Sequence, residues 1–134
     1  MSRTICTVDH TTHSAEAVSV AIKRARKNGG ELHFVGVVQP LSEASGPAYG
    51  ERVRRFGLVE ANLVHASRAA RAAGLDPTLE RRYGQLLSEA VAAADETGAD
   101  EIVLAEPRGL FQSGADVVTV SRPQLERRRL ALVA

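Results

Sequence analysis

The sequence predicts an α/β fold in which a doubly wound, five-stranded parallel sheet is covered by helices on both faces. Short apolar segments alternate with longer ones of helical spacing, in the order β-α-β-α-β-α-β-α-β. Two strand segments, Glu31 to Val38 and Glu101 to Ala105, are almost continuously apolar, which is typical of strands covered on both faces. Repeated βα units favour parallel strands joined by right-handed crossovers.

Length and composition indicate one globular domain, residues 1–134, with 44% hydrophobic and 25% charged residues. The single cysteine excludes an intrachain disulfide and suits a reducing compartment, so we expect a cytoplasmic protein. The net charge of +1 argues against nonspecific nucleic-acid binding. No apolar run is long enough to cross a membrane, so we expect no membrane association.

The first half of the chain gives two βα units. A β-branched strand, Thr4 to Val8, leads to Asp9, and Ser14 is the predicted N-cap of the first helix. The second strand is followed by a loop from Leu41 to Gly50. The second helix, from about Glu51 to Ala73, has a predicted buried stripe, made of Phe56, Val59, Leu63, Ala66 and Ala70.

The second half is less regular. Thr78 to Tyr83 alternates apolar and polar residues, which predicts an edge strand, and a third helix ends at Gly98. After the fourth strand, Glu106 to Asp116 is a predicted loop. Val117 to Arg129 is either helical throughout or helical only from Ser121, and Leu130 to Ala134 is the predicted last strand.

Several local patterns resemble the universal stress protein family. They are the opening Thr4-Ile5-Cys6-Thr7-Val8-Asp9 before a helix, Gly29-Gly30-Glu31-Leu32, the Gly98-Ala99-Asp100 approach to the fourth strand, and the terminal Leu130-Ala131-Leu132-Val133. The resemblance covers nearly the whole chain. It implies the strand order 3-2-1-4-5, a homodimer and, in one subclass, ATP bound between the first and fourth strands.

The candidate ligand residues lie where strands end, because open α/β sheets bind ligands beyond the carboxyl ends of their strands. The predicted nucleotide-contacting residues are Asp9, Val38, Ala105, Arg108, Gly109 and Thr119. Asp9 resembles the family residue on the adenine or ribose side of the nucleotide; the alternative is a turn residue that helps to start the helix. Arg108 is either a bidentate phosphate ligand or a solvated loop arginine.

The phosphate motif departs from the family pattern of Gly, two residues, Gly, nine residues, Gly, then Ser or Thr. Ala105 stands at the first glycine, Gly109 is displaced by one position, and Val118-Thr119 replaces the final pair. Thr119 keeps the hydroxyl, but Pro107 removes one backbone N–H donor from the loop. The ATP-binding motif is therefore predicted to be degenerate.

No catalytic motif is visible: the sequence has neither a P-loop, nor Gly-x-Gly-x-x-Gly, nor Gly-x-Ser-x-Gly. Asp9, His10 and His13 lack the spacing and fourth ligand of a metal site. We predict a stress-response or regulatory protein that is not an enzyme and acts by binding, with weak or no ATP affinity. The alternatives are an ATP-binding member using Asp9, Gly109 and Thr119, and an adenylating or nucleotide-hydrolysing enzyme.

The C-terminal segment predicts a homodimer. Leu130 to Ala134 is apolar, forms a sheet edge in the expected order, and contains neither charge nor proline to protect that edge. Antiparallel pairing of two such strands across a two-fold axis covers both edges. The alternative is a monomer whose edge is covered by Leu41 to Gly50.

Overall fold

The computed structural model describes residues 2–40, 48–107, 115–121, 123–124 and 127. In chain order the elements are β1 (Arg3–Val8), α1 (Ser14–Asn28), β2 (Glu31–Val38), α2 (Ala48–Ala72), β3 (Thr78–Tyr83), α3 (Leu86–Thr97), β4 (Glu101–Pro107) and β5 (Ala115–Ser121). The strands pair in the order β3-β2-β1-β4-β5, which confirms the predicted order and the edge position of β3. The first four strands are mutually parallel.

The fifth strand is the main departure from the predicted fold. β5 runs antiparallel to β4, so the sheet is mostly rather than wholly parallel, and a helix beginning at Val117 was wrong. The connection from Pro107 to Ala115 is shorter than the roughly dozen residues that a parallel crossover needs. The run from Val117 to Val120 is also β-branched, which favours a strand. The strand predicted at 130–134 lies outside the described residues.

Helices cover both faces of the sheet, as predicted. Helices α1 and α2 pack on one side, the α1/α2 face, where Cys6 and Phe34 are fully buried. Helix α3 packs on the other side, the α3 face, where Ile5 and Ile102 are fully buried. Successive strand residues alternate between the faces, so each central strand contributes to both cores.

Helix α2 begins at Ala48, earlier than predicted, and buries most of its expected stripe. The buried members are Val59, Leu63, Ala66 and Ala70. Phe56 was wrongly assigned to the core, because its side chain is 46% exposed. Its ring stacks on Tyr83 of β3, with the ring centroids 6.3 Å apart. The first part of α2 therefore carries apolar side chains on the surface.

Candidate functional site

A crevice of about 430 Å³ opens at the carboxyl ends of β1, β2 and β4. The strand order reverses here, because β1 lies between β2 and β4, and such a switch point is where open α/β sheets bind ligands. The volume falls within the roughly 300–1,000 Å³ of small-molecule sites. The crevice is lined by Asp9, Thr11, His13, Gln39, Gln85, Leu86, Leu87, Leu104 and Ala105.

The loop between β1 and α1 is organised around the side chain of Asp9. Its Oδ1 accepts hydrogen bonds from the backbone N–H of Thr11 at 2.8 Å, from the Thr11 hydroxyl at 2.6 Å and from the Ser14 hydroxyl at 2.9 Å. This arrangement is an Asx-type turn, in which a carboxylate replaces a backbone acceptor. No described residue donates a hydrogen bond to Oδ2, which leaves that oxygen available as an acceptor.

Ser14 differs from its predicted role as N-cap. Helix α1 begins at Ser14, and His13 occupies the cap position without a side-chain capping bond. The Ser14 hydroxyl instead accepts the backbone N–H of Asp9 at 3.0 Å, and the Ser14 N–H donates to the Thr11 carbonyl oxygen at 3.4 Å. The start of α1 is therefore engaged by its own loop.

The start of α3, in contrast, is open at the crevice. Gln85 precedes it in extended conformation and makes no side-chain capping bond, while its carbonyl oxygen accepts the N–H of Glu89 at 2.9 Å. The N–H groups of Leu86, Leu87 and Ser88 have no hydrogen-bond partner in the described part of the chain. Unpaired N–H groups at a helix start carry partial positive charge, which favours an anion there.

The crevice combines one carboxylate with an imidazole, a hydroxyl and two amides. Asp9 is the one acidic side chain among the described lining residues, and none of these is lysine or arginine. The side-chain amides of Gln39 and Gln85 form no hydrogen bond with any other described residue, so they can both donate and accept. The described walls suit a ligand with several hydrogen-bonding groups and provide no lysine or arginine for a string of phosphates.

The structure brings together two of the predicted site residues, Asp9 and Ala105, in the crevice wall. Val38 is instead buried in the α1/α2 face and 4% exposed, while its carbonyl oxygen accepts the N–H of Gly84 at 3.1 Å. Its neighbour Gln39 reaches the crevice. The position after a central strand predicted this place, but only the fold shows which residue is turned toward it.

Thr119 is separated from this group. It lies within β5, paired with Val103 in the middle of β4 rather than at the end of that strand. It lines a different depression of about 370 Å³, next to Gln124. Arg108 and Gly109 lie outside the described residues. Sequence reasoning missed Gln85, which lies in the crevice wall between β3 and the start of α3.

The described residues do not form a reactive thiol, a metal site or a membrane-spanning helix. Cys6 is fully buried, and burial raises the pKa of its thiol far above the ordinary value, which makes it unreactive. Within the described ranges, no three His, Cys, Asp or Glu side chains are placed to share a metal ion. No helix in this part of the chain has the length and apolar character to cross a membrane.

The chain is similar in sequence and fold to proteins of one known family. The family model described as the universal stress protein family matches residues 1–120. A universal stress protein crystallised in complex with cAMP is 28% identical, with a TM-score of 0.58 over 74% of this chain and 72% of that chain. A family member from Burkholderia pseudomallei is 17% identical, with a TM-score of 0.65 over 98% of this chain and 89% of that chain. A universal stress protein from Archaeoglobus fulgidus in complex with dAMP is 18% identical, with a TM-score of 0.56 over 78% of this chain and 79% of that chain. No functionally curated protein matches the chain significantly.

Proposed function

We propose that this chain, which belongs to the universal stress protein family, is a cytoplasmic regulatory protein that binds an adenine nucleoside monophosphate, linear or cyclic, in its crevice. It acts by binding, without turnover of the ligand, and takes ATP weakly or not at all. One observation carries the proposal. The crevice offers an open helix start for one phosphate, amides and a carboxylate for base and sugar, and no lysine or arginine among its described lining residues.

Each described group suits one part of such a ligand. The free oxygen of Asp9 can accept from ribose hydroxyls or from the exocyclic amine of adenine, and the amides of Gln39 and Gln85 can bind polar base edges. The start of α3 favours a single phosphate. The 28% identical protein crystallised with cAMP supports a ligand of this class.

Three features weaken the case for ATP. Ala105 stands where the family motif has a glycine, and a side chain there hinders close approach of the backbone to phosphate. Pro107 has no N–H to donate. Thr119, the candidate hydroxyl of the motif, lies in mid-strand away from the crevice. The alternative, an ATP-binding protein with a modified loop, depends on residues 108–114.

Thermal shifts with different nucleotides test the proposal. Ligand stabilisation grows as RT ln(1 + [L]/Kd), or about 2.7 kcal/mol at a hundred times Kd. Millimolar AMP or cAMP should raise Tm by several degrees, and ATP by much less. Asp9→Asn keeps the turn acceptor but removes the charge, so it should reduce the shift. Asp76→Asn, at the opposite end of the sheet, is the matched control.

The outcomes separate the hypotheses. An equal or larger shift with ATP that Asp9→Asn abolishes would support the ATP-binding alternative. Release of ADP or AMP from ATP at a steady rate would support the enzyme. If no adenine nucleotide shifts Tm, and mass spectrometry finds none bound to the purified protein, the proposal is wrong.

A homodimer through the C-terminal segment, residues 130–134, remains part of the proposal. Leu130 to Ala134 is apolar and carries neither charge nor proline, a composition that favours pairing of a strand edge with another chain. Light scattering at micromolar concentration should give twice the monomer mass of 14.3 kDa. Leu132→Lys should shift the mass toward the monomer, whereas Leu41→Lys should not. A constant 14.3 kDa would refute the dimer.

A further inference from the structure

Asn62, in the middle of α2, holds the loop that forms one wall of the crevice. Its Nδ2 donates a hydrogen bond to the carbonyl oxygen of Asp9 at 2.8 Å and another to that of Thr11 at 3.1 Å. The two acceptors lie 53 and 51 residues earlier in the chain. One side chain therefore fixes two backbone positions on either side of His10, within the turn that Asp9 organises.

The chemistry of this contact is demanding. Two carbonyl oxygens can be bound by one small group only if it has two N–H donors, which the asparagine amide has. A carboxylate of the same shape would place negative charge against both carbonyl dipoles. An apolar side chain would leave both oxygens without this partner, which destabilises the loop wherever water cannot reach them.

The loop separates the crevice from a second depression on its other side. That groove, of about 220 Å³ between α1 and α2, is lined by Ser14, Ala15, Val18, Asn62, His65, Ala66 and Ala69. Asn62 is on the groove side, while Asp9, Thr11 and His13 line the crevice. On the groove side, the backbone of this loop is hydrogen-bonded by the side chains of Asn62 of α2 and Ser14 of α1.

We propose that Asn62 is a positioning residue for the crevice. It sets the conformation of the loop from Asp9 to His13, and through it the affinity for the ligand, without lining the crevice itself. The position of α2 is thereby linked to the ligand site, so a change at α2 alters binding. The affinity part of this inference rests on the proposed function; the positioning part does not.

The test removes the two N–H donors of Asn62 and measures the conformation of the loop separately from the affinity for the ligand. Asn62→Asp removes them and adds charge, and Asn62→Leu removes them without charge if the first variant does not fold. Ala61→Asp, at the exposed neighbouring position, is the charge-matched control. The exchange rate and NMR resonance of the Thr11 amide report the conformation of the loop, and those of the Phe34 amide in β2 report the stability and packing of the core. Titration with cAMP reports the crevice.

We expect both Asn62 variants to exchange the Thr11 amide about tenfold faster and to shift its NMR resonance, because the loop of the folded protein loses two hydrogen bonds. The Phe34 amide should keep its resonance and exchange faster only by the loss of global stability that urea denaturation measures. The affinity for cAMP should fall about tenfold, and Ala61→Asp should change neither. An unshifted Thr11 resonance, or no acceleration of Thr11 exchange, would overturn the positioning role. If wild type binds no nucleotide, the proposed function fails, while the exchange result still decides the role of Asn62.

Discussion

The two faces of the sheet are packed with side chains of different sizes. On the α1/α2 face, α2 contributes Val59 and Leu63, which pack with the fully buried Phe34 of β2. On the α3 face, the helix contributes mainly small residues, and the larger side chains come from the strands, as with Ile5 and Ile102. The buried alanines of α3 are Ala90, Ala93 and Ala94.

The α3 face is also the one that borders the crevice. Leu104 belongs to its core, Leu86 and Leu87 pack against that core, and all three line the crevice. From the α1/α2 face, Ala105 lines the crevice, while the buried side chains of that face pack between the sheet and the two helices. The difference teaches that both faces have a buried core but the ligand-lining side chains are concentrated on the α3 face, so that substitutions on the two faces should separate stability from binding.

The largest expected effect is that of Phe34→Ala on the α1/α2 face. Removing a fully buried ring should lower the free energy of unfolding by about 3–5 kcal/mol, because the lost transfer energy is increased by a cavity. Urea denaturation measures this loss. The folded fraction should bind cAMP with unchanged affinity, and a loss below about 1 kcal/mol would show that the face tolerates cavities.

The counterpart on the α3 face is Leu87→Ala. This side chain is only partly buried, so its loss should cost less than about 2 kcal/mol. It lines the crevice, so the variant should bind cAMP more weakly by isothermal titration. Similar effects of both substitutions on both measurements would remove the distinction between the faces.

The next effect concerns close packing over Gly36 of β2. A Cβ added there would lie 2.6 Å from Cδ1 of Leu63 and 2.9 Å from Cγ1 of Val59. Gly36→Ala should therefore destabilise the protein by about 1–3 kcal/mol, because the buried side chains of Leu63 and Val59 must move within a packed core. Gly57→Ala is the matched control: nothing lies within 4 Å of its Cβ, and in a helix it should stabilise by about 0.5–1 kcal/mol. Thermal unfolding of both variants decides between crowding and propensity.

The smallest effect is electrostatic and depends on pH. Hydrogen bonds from Arg24 lower the pKa of Glu101 below its ordinary 4.5, against the opposing effect of burial, and a hydrogen bond from Thr4 adds to this. The Arg24 nitrogens lie 2.9 and 2.7 Å from the Glu101 oxygens. Because the folded pKa is the lower one, this stabilisation is fully present above about pH 4.5 and disappears as pH falls through the folded pKa.

Glu101→Gln should therefore cost about 1 kcal/mol at pH 7, the difference between a charge-assisted and a neutral hydrogen bond. The cost should shrink below pH 4.5, as seen by urea denaturation across pH. Glu60→Gln removes an exposed pair with Arg81 and should cost less, since surface ion pairs contribute about 0–1 kcal/mol. A cost at Glu101 that does not change with pH would exclude the ion pair as its source.

Much of the fold and part of the site followed from local patterns. The buried strands, the polar edge strand from Thr78 to Tyr83 and the order of elements were predictable, because they depend on periodicity and on chain connections. Asp9 was predictable because it directly follows a central strand. Gln85, on a turn beside a helix start, was not recognised, since turn residues share a composition whether or not they meet a ligand.

The sequence by itself determined the alternation of strands and helices and the family to which the chain belongs, since both depend on patterns within a few consecutive residues. Only the tertiary structure decided three points: that β5 runs antiparallel, that Thr119 lies outside the crevice, and that Asn62 is hydrogen-bonded to the loop of Asp9. The direction of β5 and the position of Thr119 depend on which strands pair, and the Asn62 contact joins groups more than 50 residues apart, so all three are set only when the sheet has formed. Helical periodicity marks Asn62 as an ordinary residue of α2, and its two partners are more than 50 residues away.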